Sequence, residues 1–400
     1  MNSADRWILP AGIEELLPPE ARRLEALQRT VSDLFAGWGY DLVIPPYLDY
    51  LESLLTGTSQ DLDLQTLKVI DQPSGRLLGL RADMTPQVAR IDARHMSSRS
   101  DAPVRLCYVG PVFRALPNRF VGSRTPQQAG AELYGHAGVE SDAEILGLLV
   151  ETVRAGGIDQ VHLDIGHVGV FRALVAQANL SAPVEAQLFE ALQRKAKSEI
   201  EDLVEGAMSP ALADQFVALC ELNGGVDVLA KARTQLSSAN EQLGQALDEL
   251  EAVHAALGRF ELPCAVQFDL AELRGYRYHA GLVFAAFVPG YSQEVARGGR
   301  YDHIGEAFGR ARPATGFSTD LRVLAALNRD SPQLAIPPAI FAPYDASPAL
   351  RKCIGRLRKQ GERVIEGLPG QHGGAAELKC DRELTFVGGN WVVSELNTGN

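Results

Sequence analysis

Apolar positions along the chain alternate between two periods. Leu24, Leu27, Val31 and Leu34 recur at helical spacing after Pro18-Pro19, and Gly37 stops the run. Residues 41–44 then predict a strand that ends at Pro45-Pro46. Residues 62–70 and 76–80 predict paired strands around the turn Gln72-Pro73-Ser74-Gly75. Thr85 before Pro86 predicts the start of a helix running toward His95, and Asp83 stands where a carboxylate caps that helix or faces a bound amine. Strands are expected at 104–109, 131–134, 161–165 and 264–270. Ser141-Asp142-Ala143-Glu144 has the capping-box pattern, with Ile145, Leu148, Leu149, Thr152 and Val153 following on one helical face.

From 171 to 257 the composition shifts to Ala, Leu, Gln and Glu with no clear strand, which predicts a helical insertion with solvated charges. After Asp302, a short helical turn is expected at 304–308 and a helix at 319–327. Ser331-Pro332 and Pro337-Pro338 mark a linker. Beyond it, a strand at 339–342, a helix at 349–360 and strands near 384–387 and 391–393 predict a small α/β unit.

One stretch gathers candidate chemistry, Glu272 to Asp302. Two β-rich runs are expected there, 276–278 and 282–288. Gly275 and Gly281 interrupt them, as glycine does where a ligand or another backbone comes close. Arg274 and Arg300 bring positive charge to its two ends. Earlier in the chain, Glu132 falls inside a short apolar strand, where an unpaired carboxylate is costly, so it needs a partner such as Arg274 or a ligand amine.

Composition narrows the function classes. The net charge of -12 argues against a broad phosphate-binding surface and hence against a large nucleic-acid face. The five cysteines are scattered without a CxxC pair, so reduced thiols are expected and no metal or cofactor is implied. No apolar run approaches the roughly 18 residues needed to cross a membrane, and the first residues lack a signal-peptide pattern. A cytoplasmic protein is the expectation.

Five motifs in order carry a resemblance to histidyl-tRNA synthetase over residues 8 to 327: GWGYDLVIPP, LRADMT, VGPVFR with QQAGAELYG, LRGYRYHAGLVF, and GGRYD with ATGF. The resemblance implies an α+β fold: a class II aminoacyl-tRNA synthetase-like antiparallel sheet flanked by helices, with a homodimer built through that core. It places a synthetase-like domain at 1–330, with the helical insertion at about 171–257, and a small C-terminal domain at 337–400. It also implies a histidine-like pocket lined by Asp83, Thr85, Arg114, Gln128, Glu132, Arg274, Tyr278 and His279. Acids would meet an ammonium there, and arginines a carboxylate.

The same resemblance shows losses. The second motif, Phe-Arg-x-Glu in the family, reads Phe113-Arg114-Ala115-Leu116. In the third, the phosphate-clamping arginine falls on Val323 with Arg322 one place early, and Asp320 replaces a glycine facing the ATP site. In the histidine motif Arg277 replaces an aspartate and His279 a tyrosine. Each lost electrostatic donor costs on the order of 10² to 10³ in rate, so adenylation is not expected. The C-terminal segment is short, with Arg351, Lys352, Arg356, Arg358 and Lys359 clustered on one helix, which weakens tRNA binding.

Kept pocket and lost clamp together resemble the regulatory subunits of ATP phosphoribosyltransferase. That likeness implies no catalysis, a hetero-octamer with the short-form catalytic subunit, a requirement for its activity in the first step of histidine biosynthesis, and histidine as effector. The alternatives are an active histidyl-tRNA synthetase, which must show histidine-dependent pyrophosphate exchange, and another binding module on the same fold.

Overall fold

The computed structural model describes residues 7–57, 60–96, 102–116, 123–236, 241–276, 278–327 and 338–396. Parts of the expected linker, Arg277 and the middle of the loop after Arg114 lie outside the described residues. The chain forms two units, Met1–Leu334 and Ala335–Asn400.

In the first unit, helix α1 (Glu20–Gly37) precedes strands β1 (Asp41–Leu42) and β2 (Leu48–Tyr50). Helices α2 (Leu51–Leu54) and α3 (Gln60–Gln65), strands β3 (Leu67–Ile70) and β4 (Leu77–Leu80), and helix α4 (Thr85–Ile91) follow. Strands β5 (Val104–Pro111) and β6 (Gln127–Tyr134) lead to helix α5 (Val139–Ala155) and strand β7 (Val161–His167). A helical stretch comes next: α6 (Val168–Ala178), α7 (Ala182–Gln193), α8 (Lys197–Val204), α9 (Pro210–Leu219), α10 (Asp227–Gln235) and α11 (Glu241–Leu257). It contains the two-residue strand β8 (Asn223–Gly224). Strands β9 (Cys264–Asp269), β10 (Leu282–Phe287), β11 (Ala296–Arg300) and β12 (Ala314–Asp320) and helix α12 (Leu321–Leu327) complete the unit.

The large sheet runs β1-β5-β6-β12-β11-β10-β7-β9-β8. Its centre, from β5 to β7, is antiparallel, while β1 pairs with β5, and β9 with β7, in parallel. A second sheet pairs β2-β4-β3.

Strand alternation sets the layers. Ala129, Ala131 and Leu133 of β6 join the core that includes Leu146, Leu149 and Val153 of α5 and Leu27, Val31 and Phe35 of α1. On the other face Tyr134 packs with Leu106 and Tyr108 of β5, with Met84 at the start of α4 and with Val88 within it. Gln128, Gly130 and Glu132 share that second face by the same period of two.

Several expectations need correction. Residues 62–65 are helical, and Leu64 stays 68% exposed; a short apolar run does not separate strand from helix by period alone. Residues 314–320 form a central strand where a lead-in and helix start were expected. Ladders to β6 and β11 on both sides outweigh the weak strand preference of Gly316 and Asp320. Helix α5 begins at Val139 with extended Gly138 as its cap, and Ser141 donates to the Gly138 and His136 carbonyls, so the capping box is not used. Tyr276 and Tyr278 lie in a turn: Gly275 has φ +69, and Tyr278 and His279 both donate backbone N–H to the Gly275 carbonyl.

In the second unit, β13 (Ala339–Ala342), helix α13 (Pro348–Lys359), β14 (Arg363–Glu366), β15 (Arg382–Val387) and β16 (Asn390–Glu395) form a sheet in the order β14-β13-β15-β16. Strand β14 is an addition to the sequence reading. Its four residues carry two charges, too few apolar positions to signal a strand. Ser347 caps α13 by accepting from the Leu350 N–H, and Leu350, Ile354 and Leu357 form its buried stripe.

Candidate functional site

A cleft of about 640 Å³ opens on the α4 face of the large sheet. Asp83, Thr85, Arg114, Glu132, Arg274, Tyr278 and His279 all line it, with Glu272, Arg297 and Tyr301. Seven of the eight expected pocket residues are therefore brought together. The eighth, Gln128, is buried behind the wall. Its side-chain N–H₂ donates to Asp83 Oδ1 at 2.8 Å and its carbonyl accepts from the Met84 N–H at 3.0 Å, which orients Asp83. Asp83 Oδ1 also accepts from the Thr85 N–H at 3.0 Å, tying it to the first turn of α4.

Glu132 is the centre of a hydroxyl cluster. Thr85 Oγ1 donates to its Oε1 at 3.1 Å and Tyr108 Oη at 2.9 Å, while Tyr301 Oη donates to Oε2. These hydroxyls are its partners, in place of the expected Arg274. Across the ladder Glu132 faces Gly316, where an added Cβ would lie 1.6 Å from Oε2. Glycine at 316 thus makes the room that the carboxyl occupies. Burial pushes the Glu132 carboxyl up to about 8, partly offset by the three hydroxyl bonds, and the Asp83 charge adds to the rise.

Of the cations, Arg297 stands on the sheet itself, while Arg274 and Arg114 come from the connections after β9 and β5. Arg297 of β11 pairs with Ser318 of β12, two residues from the Gly299–Gly316 pair. Arg297 and Arg274 both contact Glu294, at 3.5 and 3.3 Å. Arg114 has a buried Nε with no hydrogen-bond partner among the described residues. Its pKa is lowered by burial and by the nearby Arg297 charge, with Asp83 and Asp320 opposing. Tyr278 stacks on Tyr301 with ring centroids 5.4 Å apart, and its hydroxyl is buried without a partner among the described residues. His279 donates from Nδ1 to the Arg300 carbonyl at 3.3 Å; loss of water pushes the ring down to about 4, leaving it neutral.

The third motif divides: Gly316, Phe317 and Ser318 line the cleft, and its later residues lie elsewhere. Arg322 donates to the Thr125 carbonyl and hydroxyl and pairs with Glu14, at 3.0, 2.9 and 2.9 Å. With Val323 and Asp320 it lines a separate pocket of about 400 Å³ beside α1. Asp320 Oδ1 accepts from the Gln127 and Arg322 amides, both at 3.0 Å, and its charge is felt by Arg114 of the cleft. Arg300 is likewise structural, buried against Asp142 at 2.7 Å.

Sequence reading passed over Tyr108, Tyr301, Arg297 and Glu272. Tyr301 and Arg297 lay inside a quoted or adjoining motif, and period-two alternation of β5 with β6 puts Tyr108 beside Glu132 once those strands are paired.

Comparison with known proteins follows this geometry. A family model described as histidyl-tRNA synthetase matches residues 12–324, and one described as the ATP phosphoribosyltransferase subunit HisZ C-terminal domain matches 337–394. The ATP phosphoribosyltransferase regulatory subunit of Thioalkalivibrio sulfidiphilus is 54% identical over 99% of this chain and 100% of its own length. The chain belongs to the family of ATP phosphoribosyltransferase regulatory subunits. The corresponding protein of Alkalilimnicola ehrlichii is 53% identical over 98% of each chain. Among solved structures, a Bacillus halodurans protein described as an ATP phosphoribosyltransferase regulatory subunit/histidyl-tRNA synthetase superposes with TM-score 0.81 at 26% identity, over 92% of this chain and 94% of that one. The histidyl-tRNA synthetase of a Nostoc species matches with TM-score 0.79 at 20% identity over 97% of both, a likeness of fold. A member of this family is a non-catalytic subunit of an enzyme complex, which agrees with Arg322 and Val323 standing outside the cleft.

Proposed function

We propose that the chain is required by a short-form ATP phosphoribosyltransferase catalytic subunit, and that it makes the enzyme sensitive to histidine held in the cleft. The step served is the first of histidine biosynthesis, in the cytoplasm. The observation that carries the reading is the pairing within one cleft of an acid group, Glu132 with Asp83, and the arginines 114, 274 and 297, while Arg322 is engaged elsewhere. An amino acid offers an ammonium to the first and a carboxylate to the second.

The assembly proposed is a homodimer through the class II core, joined to catalytic subunits as a hetero-octamer. In support, Leu42, Ile44, Tyr47, Leu48, Ile70 and Leu77 of the β1–β4 region are exposed, a density of surface apolar groups expected at interfaces. Coupling requires that histidine bind two states of the complex unequally. The test adds purified chain to a purified short-form catalytic subunit. Turnover is expected to rise and to become histidine-sensitive, and equal rates with and without the chain would sink the reading. Light scattering checks the two assemblies, and histidine titrated into the chain alone checks the cleft.

A further inference from the structure

The segment that presents Arg274, Tyr278 and His279 has little regular structure to hold it. Its backbone bonds are turns, with Tyr276 N–H on the Leu273 carbonyl and Tyr278 and His279 N–H on the Gly275 carbonyl, and one tie to β11, Ala280 N–H on the Arg300 carbonyl at 2.6 Å. Three of its carbonyls are gathered by one side chain from outside. Arg172 of α6 donates to Tyr276 O and His279 O, both at 2.8 Å, and to Ala280 O at 3.3 Å. These acceptors flank Tyr278 on both sides. The Arg172 guanidinium also lies over the Tyr276 ring at 5.0 Å. Tyr276 in turn donates to Glu185 of α7 at 3.0 Å and meets the Phe171 and Phe189 rings at 5.2 and 5.5 Å. A planar fork of donors can hold several carbonyls in one geometry, which a single ammonium does less well.

We propose that Arg172 is a positioning residue of the cleft: by holding the 276, 279 and 280 carbonyls it fixes the arc that sets Tyr278 and His279 on the cleft wall. It also ties that arc to α6 and, through the Tyr276 hydroxyl and Glu185, to α7. The inference rests on the histidine reading of the cleft for its ligand, and on geometry alone for the positioning. The Arg172 charge acts on the site as well, adding to the burial and the Arg297 charge that hold His279 below its ordinary pKa.

The test compares Arg172→Ala, Arg172→Lys and Tyr276→Phe with the unaltered chain, well below their unfolding temperatures. Loss of the charge-assisted bonds in Arg172→Ala is expected to raise the histidine Kd on the order of tenfold, and added ethylguanidinium to restore part of it. Arg172→Lys should fall between. Without histidine, amide exchange over 276–281 should quicken in Arg172→Ala, and the His279 ring pKa, followed by NMR, should rise. A residue that merely stabilises the fold would move the unfolding temperature and leave rescue, exchange and ring titration as they were; that outcome overturns the proposal. If the unaltered chain fails to bind histidine, the functional reading falls, and exchange and ring titration still decide the role of Arg172. If Arg172→Ala does not fold, Arg172→Lys and Tyr276→Phe decide it, with unchanged affinity and exchange in both counting against it.

Discussion

Glu132 and Arg322 both come from motifs of the synthetase pattern, yet one stands in the cleft and the other outside it. Glu132 is on a central strand, laddered to β5 and β12 on either side. Its direction is set by that pairing, because a strand residue changes face only if the whole register slips. Arg322 is the second residue of α12, at a strand-to-helix junction. There Arg322 is held by Glu14 and Thr125, and Val323 beside it lines the same separate pocket. A strand-borne acid and a cation at a helix start thus differ in what fixes their direction: ladder register for the first, local partners for the second.

The sharpest break of that contrast is Glu132→Gln. It keeps the shape, leaves one accepting oxygen where three hydroxyls used two, and removes the carboxylate that an ammonium meets once the acid has lost its proton, so it is read above pH 8. Histidine affinity should fall about 10- to 100-fold, from charge-assisted bonds of roughly 1.5–3 kcal/mol, as read by calorimetry. Unchanged affinity would move the effector site away from the strand-borne acid.

A change of pH acts on the same group with a smaller effect. With the Glu132 carboxyl at about 8, the acid form dominates at pH 7 and must lose its proton to meet a cation. Between pH 7 and 8, affinity should rise by up to about tenfold per unit and level off above, and the Glu132→Gln chain should lack that slope. Stability runs the opposite way. A carboxyl raised from 4.5 to about 8 on folding contributes stability that is whole below 4.5 and lost as pH rises through about 8. Thermal melts across that window should therefore drop for the unaltered chain more than for Glu132→Gln.

Arg322→Ala should have the smallest effect. It removes bonds to Thr125 and Glu14 and costs about 1 kcal/mol of stability, seen by denaturant titration. Histidine affinity should stay within about twofold, as for a residue that no longer touches the ligand site. A large loss of affinity would mean that the two pockets are coupled, through Asp320 between Arg114 and Arg322.

Much of this arrangement is visible in the order of residues. The motif order gives the class of fold, and the changes at Leu116, Val323 and Asp320 point to lost adenylation before any side chain is placed. The direction of Asp320 is not visible, since a carboxylate at a helix start can face a ligand or cap backbone amides, and only neighbouring Gln127 decides for the amides. The second face of β6 is half visible: alternation puts Gln128, Gly130 and Glu132 together, but not which of them a ligand can reach.

Local pattern was thus enough for most of the helices and strands, though not for 62–65, 276–278, 314–320 or β14, and for seven residues of the cleft, because period and motif order are properties of neighbours along the chain. Tertiary pairing decided the rest: that Glu132 meets Tyr108, Tyr301 and Thr85 instead of Arg274, that Gly316 makes its room, and that Arg172 reaches more than a hundred residues along the chain to hold Tyr276, His279 and Ala280. The physical reason is that burial, with the pKa and hydrogen-bond partners that follow from it, is set by which strands and helices lie side by side in space.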